Sequence, residues 1–311
     1  MMQIGKLRLE VPEIPIACFT ATATQAVKKD LASVLHLRNP SVFSLSQDRP
    51  NLCMRVAQVY SKNEGLDLVA AECGDARAGS HVVFTFTRKD AEMFGSELRK
   101  RLSGKSVLSY HGMLEMEQRL HIQKKFMHNE VDIVCATGSS FGTGVDKGTV
   151  VPAATSAADQ PFRAALAECA PSRARVVRAH PGVPCAGDVR KVIIYGAPKS
   201  MEEFVQQVGR GGRDGQRYEA VLVYTAASFA VHWSQQKKEA AELPPPTARA
   251  RRSSLWSLQN FCRSTSCRRL SLLGFWNESP EWDKCMQCDN CNGTTYRSPC
   301  PRPADNKVKR L

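Results

Sequence analysis

Between residues 81 and 225 the chain alternates short apolar runs with helical patterns, and that alternation limits the fold more than any other feature. "HVVFTF" (81–86) reads as a strand and "RKDAEMFGSELRKRL" as a helix. "SVLSYHG" reads as a strand running into a turn, "EMEQRLHIQKKFM" as a helix, and "VDIVCATG" as a strand with a loop at its carboxyl end. "RKVIIYG" (strand), "MEEFVQQV" (helix) and "YEAVLVYT" (strand) continue the series. Strand–helix–strand repetition predicts an α/β fold with a parallel sheet covered on both faces. Such sheets bind ligands outside the carboxyl ends of their strands, and the loops after "VCAT" and around "GRGGRD" are expected there.

Two segments break the pattern. Residues 148–187 are rich in Ala and Pro with little periodicity, which reads as an insertion loop or disorder. Residues 235–254, "QQKKEAAELPPPTARARRSS", read as a linker, with Pro244–Pro246 as a stiff extended stretch. No internal repeat is found.

A net charge of +13 over 311 residues fits a nucleic-acid partner, and equally a merely basic solvated surface. The start "MMQIGKLRLE" lacks the apolar segment of a secretory signal, and no run approaches the roughly 18 apolar residues of a membrane span. A soluble intracellular protein is expected, nuclear in a eukaryote and cytoplasmic otherwise. Twelve cysteines are many for a reducing compartment. Cys18, Cys53, Cys73 and Cys135 stand singly on apolar stretches and read as buried small side chains.

The stretch "QQVGRGGRDG" sets Arg210 and Arg213 three apart among four glycines. Arginine keeps its charge at any working pH and forks toward phosphate oxygens. Glycine lets the backbone approach a ligand closely. R-x-x-R alone would be a flexible basic loop. With Gln206 ahead and Asp214-Gly215 behind, it reads as a phosphate site.

Near the C-terminus, Cys267, Cys285, Cys288 and Cys291 follow a C-x17-C-x2-C-x2-C spacing. Four thiolates so spaced suit tetrahedral zinc. An iron–sulfur cluster is the rival, but the ferredoxin run expects a further Cys-Pro after three residues, where Thr295 stands. Cys262 lies close and is left out of the ligand set.

Several stretches in order resemble the motifs of superfamily 2 helicases in the RecQ form. "QQVGRGGRDG" resembles motif VI, with Gln206 where DEAD-box relatives usually carry histidine. "FTATAT" (19–24) resembles motif III, "DRPNL" (48–52) the passage into the second motor lobe, and "VVFTFTRKDAE" motif IV, with "SYHGML" after it. "ATGSSFGTGVDK" (136–147) resembles motif V, from which Ser140 and Thr143 depart. "CRRLSLL" with Phe275, Trp276, Glu278 and the cysteine triplet resembles the RecQ zinc module. The resemblance covers residues 4–147 and 188–292.

It implies a RecA-like second lobe at 49–234, the edge of a first lobe at 1–48, a small helical zinc module at 255–294 and a basic tail at 295–311. It implies ATP with Mg²⁺ and a structural Zn²⁺, and an ATP-dependent 3′–5′ DNA helicase acting on single-stranded and forked DNA. Arg213 would be the arginine finger, with Arg210 and Gln206 beside it. Gly144 and Asp146 would line the interlobe cleft. Thr22, Thr137, Arg268 and Arg269 would touch DNA. For Thr137 the alternative is a hydroxyl capping the next turn. For Arg268 and Arg269 it is exposed turns of a helix whose Leu270, Leu272 and Leu273 pack inward.

A motor also needs G-x-x-x-x-G-K-[ST] and a D-E-x-H box, and these 311 residues hold neither. "SGKS" (103–106) runs helix to strand, with Arg99 where the first glycine belongs. The expectation is a fragment, or a truncated gene model, whose chain does not hydrolyse ATP by itself. Deleting 148–187 would set "GVDK" beside "DVRKVIIYG", so that segment reads as a retained intron or a tolerated insertion. The competing functions are a non-catalytic zinc-containing DNA-binding module and an RNA helicase fragment.

Overall fold

Strand residues of the sheet alternate between two separate cores. In the computed structural model, which describes residues 5–6, 13–14, 16–20, 23–74, 79–138, 140–141, 189–296 and 298, the sheet holds β1 (Leu52–Gln58), β2 (Ser80–Thr85), β3 (Val107–Tyr110), β4 (Ile133–Thr137), β5 (Val189–Tyr195) and β6 (Tyr218–Tyr224). All pairings are parallel, in the order β1-β6-β5-β2-β4-β3. Val83, Ile193 and Val221 face one way, and Phe84, Ile194 and Leu222 the other. A parallel sheet needs a helical layer for each set.

Helices α2 (Lys62–Gly74) and α3 (Arg88–Arg101) cover the first face through Val69, Phe94 and Leu98. Helices α4 (Met116–Met127), α5 (Met201–Val208) and α7 (Pro245–Arg263) cover the second through Phe126, Phe204 and Leu258. The remaining helices among the described residues are α1 (Gln25–Val34), α6 (Ala226–Glu239), α8 (Arg268–Phe275) and α9 (Asp289–Asn292). Local caps start the helices: Thr87 Oγ1 accepts the Asp90 amide at 3.0 Å for α3, and Ser200 Oγ accepts the Glu203 amide at 3.1 Å for α5. Among the described residues no helix is long and apolar enough to cross a membrane.

The fold departs from the sequence reading in four places. Residues 235–254 are not an extended linker, because α6 runs to Glu239 and α7 starts at Pro245. Pro244 is extended as the N-cap, and the next two prolines open the first turn, where a missing N–H breaks no helical bond. Burial of Leu255, Leu258 and Phe261 holds the rest of that helix. Strand β1 was not foreseen, since half-buried Arg55 interrupts its apolar run at the sheet edge. Cys53, Cys73 and Cys135 are buried as expected, but Cys18 is exposed.

The fourth departure concerns the arginine loop. Helix α5 runs back across the sheet, so loop 209–215 lies at the amino ends of β5 and β6. There the Gly212 amide donates to the carbonyl of Val189, the first residue of β5. The loop after "VCAT" does leave the carboxyl end of β4. The segment 148–187 lies outside the described residues.

Candidate nucleotide cleft and metal centre

Loop 209–215 is held from three sides. Gly212 (φ +58°) and Gly215 (φ +80°) adopt left-handed backbone, which favours glycine. A Cβ on Gly211 or Gly212 would run into the Tyr218 ring, so both sit flush on that aromatic. The Tyr218 hydroxyl donates to the Val208 carbonyl at 3.1 Å. Arg49 stacks over the same ring at 5.1 Å and donates to the Gly211 carbonyl at 2.9 Å. Asn51 Nδ2 donates to the carbonyls of Gly212 (2.8 Å) and Gln216 (2.9 Å). Arg190 forms an ion pair with Asp214.

This scaffold fixes where the loop arginines start. Arg213 is half-buried, with Nε 3.4 Å from the Gly209 carbonyl. Half-buried Arg210 and exposed Gln206 lie one turn apart and line a cleft of about 310 Å³ with Gly138, Ser200, Glu202 and Glu203. Gly138 packs so closely on the Gln207 amide that a Cβ there would collide with it. The start of the "ATGSSFGTGVDK" segment and the "QQVGR" helix therefore share one cleft wall. Thr137 is 9% exposed at the end of β4, and its Oγ1 lies 2.5 Å from Ser140 Oγ, the turn-capping geometry. Gly144, Asp146 and Thr22 lie outside the described residues.

The structure brings Cys267, Cys285, Cys288 and Cys291 together, with all four sulfurs within 4.8 Å of one another. Cys285 Sγ and Cys291 Sγ are 3.9 Å apart. Tetrahedral zinc with bonds of about 2.3 Å sets sulfurs about 3.8 Å apart, so the residues fit that ion. Backbone amides point at the sulfurs: Arg268 N to Cys288 Sγ, Cys285 N to Cys267 Sγ and Cys288 N to Cys285 Sγ, each at 3.4 Å. Such contacts favour thiolate over thiol. Met286 takes a positive φ of 56° to close the C-x2-C turn. Cys262 is buried in the apolar core instead, and burial pushes its thiol pKa well up.

Both arginines expected at DNA turn inward. Arg268 is 2% exposed. Its Nε meets Asp289 Oδ1 at 2.9 Å, and its Nη2 meets Asp289 Oδ2 at 3.2 Å and Asn290 Oδ1 at 3.3 Å. It is neither an exposed turn nor placed to meet DNA, because the module uses its charge as an internal tie. Arg269 is bidentate on Asp48 and stacks on Trp282 at 4.7 Å. Leu272 and Leu273 pack inward as expected, and Leu270 is half-buried.

Several supporting residues carried no recognisable signal in the sequence. Arg49 and Asn51 sit in "DRPNL", where only a chain passage was legible. Ser254 accepts the Met201 amide at 3.0 Å and donates to Glu202, tying α7 to the start of α5. Asp289 reaches back to β1. Each partner lies tens to hundreds of positions away, beyond the reach of local spacing.

The comparisons cover part of the sheet and the cysteine module. The helicase conserved C-terminal domain family matches residues 64–151, and the RecQ zinc-binding family matches residues 231–292. ATP-dependent DNA helicase RecQ of Pasteurella multocida is 30% identical over 93% of this chain and 38% of its own length. The Haemophilus influenzae protein of the same name is 30% identical over 93% of this chain and 39% of its own. A putative ATP-dependent RNA helicase of Acanthamoeba polyphaga mimivirus is 29% identical over 91% and 43%. Among solved structures, S. cerevisiae Dbp5 bound to RNA and ADP BeF3 aligns with 76% of this chain and 52% of that one, at a TM-score of 0.49 and 16% identity. The chain thus spans less than half the length of these curated relatives. With one family matched on the sheet, another on the cysteine module and RecQ relatives aligned along nearly all of it, the chain belongs to the RecQ helicase family, as a C-terminal helicase region.

Proposed function

We propose that this chain is the second motor lobe and zinc module of an ATP-dependent 3′–5′ DNA helicase. The observation that carries the reading is the shared cleft wall, where Gln206 and Arg210 line one cleft with Gly138 at the end of β4. Nucleotide bound between two lobes, with Mg²⁺ on its phosphates, would meet this wall. Arg210 and Arg213 supply guanidinium charge for a γ-phosphate, and charge so placed lowers the barrier to phosphoryl transfer. The Gly211–Gly212 backbone clamped on Tyr218 limits their freedom, which favours preorganisation. Gly144, Asp146 and Thr22 join the site by resemblance.

The 311 residues contain no G-x-x-x-x-G-K-[ST] or D-E-x-H sequence, so phosphate cradle and metal box must come from a partner lobe. The zinc-loaded chain by itself is expected to bind single-stranded DNA without DNA-stimulated ATP hydrolysis. Turnover by contaminant-free protein that disappears in Arg213→Ala would overturn this. The same missing sequences favour a second reading, a nucleic-acid-binding module without catalysis. A two-lobed parent protein that binds DNA but never hydrolyses ATP would support it. DNA against RNA stimulation of that parent decides the substrate, with repair or recombination and a nuclear setting as the roles to examine.

A further inference from the structure

Phe86 follows a strand in which Val82, Val83 and Phe84 are at most 1% exposed, yet Phe86 itself is 43% exposed. It stands just past the carboxyl end of β2, beside a small cleft that Thr137 and Lys199 also line. The ring is braced from behind the surface. His232, 3% exposed, meets it edge to face with centroids 4.9 Å apart. His232 is itself pinned, with Nε2 2.7 Å from the Ala197 carbonyl. Lys199 Nζ stands 5.7 Å from the ring centroid. Arg88 and Lys89, next along the chain, are exposed too. The nearby acids are engaged: Glu203 accepts the Lys199 amide at 2.8 Å, and Asp90 accepts Lys62 Nζ at 2.7 Å.

We propose that Phe86 is a stacking platform for one base of a single-stranded nucleic acid, with Lys199, Arg88 and Lys89 placed for the flanking phosphates. The inference rests on the helicase reading and adds a contact that reading does not contain. An aromatic face among cations is the arrangement that holds single strands, because every base offers a π-face and every link a phosphate. A braced aromatic loses little freedom on stacking. An apolar protein partner would use the ring's area and leave the three cations without a role.

The test is binding of the full zinc-loaded chain to fluorescent oligo-dT and oligo-rU, each roughly 16 nucleotides long to span one binding site. Phe86→Ala and Phe86→Leu are both expected to weaken binding roughly five- to a hundredfold, the range of one lost base stack. Phe86→Trp is expected to retain it, and Lys199→Ala to flatten its salt dependence. The polymer that loses more with Phe86→Ala is the one the platform serves. Wild-type affinity in Phe86→Ala overturns the proposal and leaves the helicase reading standing. Wild-type affinity in Phe86→Leu alone means apolar contact with a partner surface, and overturns stacking. Absence of binding by the wild-type chain overturns this proposal and the helicase reading together.

Discussion

Asp289 accepts the Val56 amide at 3.0 Å on one carboxylate oxygen, while Arg268 Nε meets the other oxygen at 2.9 Å. Val56 is on β1, the edge strand, whose outer N–H groups have no strand partner among the described residues. One residue past Cys288 of the cysteine cluster, a buried carboxylate occupies that edge, and the Gln287 carbonyl accepts the Cys53 thiol at 2.7 Å beside it. The zinc module thus covers an edge that would otherwise be open to pairing with another chain.

Removing either partner should strand a buried charge. Arg268→Ala and Asp289→Ala are each expected to cost about 3–5 kcal/mol in urea melts of zinc-loaded protein. Exposed Arg252→Ala is the control, expected within about 0.5 kcal/mol of wild type. A loss for Arg268→Ala no larger than the control's would refute the tie.

Metal loss should open the same edge. A closed four-thiolate zinc site contributes about 10–16 kcal/mol to folding. Cys288→Ser, or a strong chelator, is expected to lower the zinc content below one per chain, lower Tm and promote aggregation. Cys262→Ser should keep one zinc while costing stability, since its thiol is buried away from the cluster. Metal analysis with light scattering separates the two.

Gly212→Ala is expected to destabilise by about 1–3 kcal/mol through its positive φ alone. The clash with Tyr218 adds to that and displaces the loop. Gly104→Ala shares the positive φ but has open space around it, so it should cost less. Equal losses for the two would deny the Tyr218 contact any weight.

In a two-lobed parent enzyme, Arg213→Ala should cut the rate of ATP turnover by roughly 10³–10⁵, the range for an arginine finger. DNA affinity and Tm should stay near wild type. A variant that loses DNA binding in step with turnover would point to a structural role instead.

Lys191 yields a pH prediction. Burial pulls its ammonium pKa down, but the Glu72 carboxylate at 3.0 Å and the Glu219 carboxylate at 3.3 Å outweigh burial and leave it above the ordinary value. A raised lysine pKa adds stability that is fully present below the unfolded value of about 10.4 and is lost as pH rises through the folded one. The wild-type advantage over Lys191→Met should hold steady from neutral pH to about 10 and shrink above that. Urea melts across that range measure it, and an advantage that grows with alkali would refute the assignment.

Local pattern determined a good part of this protein. The period of the apolar runs from "HVVFTF" to "YEAVLVYT" reports which residues must leave water, so five of the six described strands and their parallel sense were readable. The cysteine spacing was equally legible, because ligands close in sequence need only a turn to converge. Tertiary structure decided what depends on partners far along the chain. Arg268 looked like an outward cation and became a buried tie once Asp289 folded over it. Residues 235–254 looked like a linker because they are charged and then Pro- and Arg-rich, and the burial of Leu255 and Phe261 just beyond them made 245–254 part of a helix by finding a core. Loop 209–215 went to the amino ends of the strands because α5 reverses direction across the sheet. Short-range chemistry fixes most of the elements, and long-range burial fixes the rest and the way each charge ends up facing.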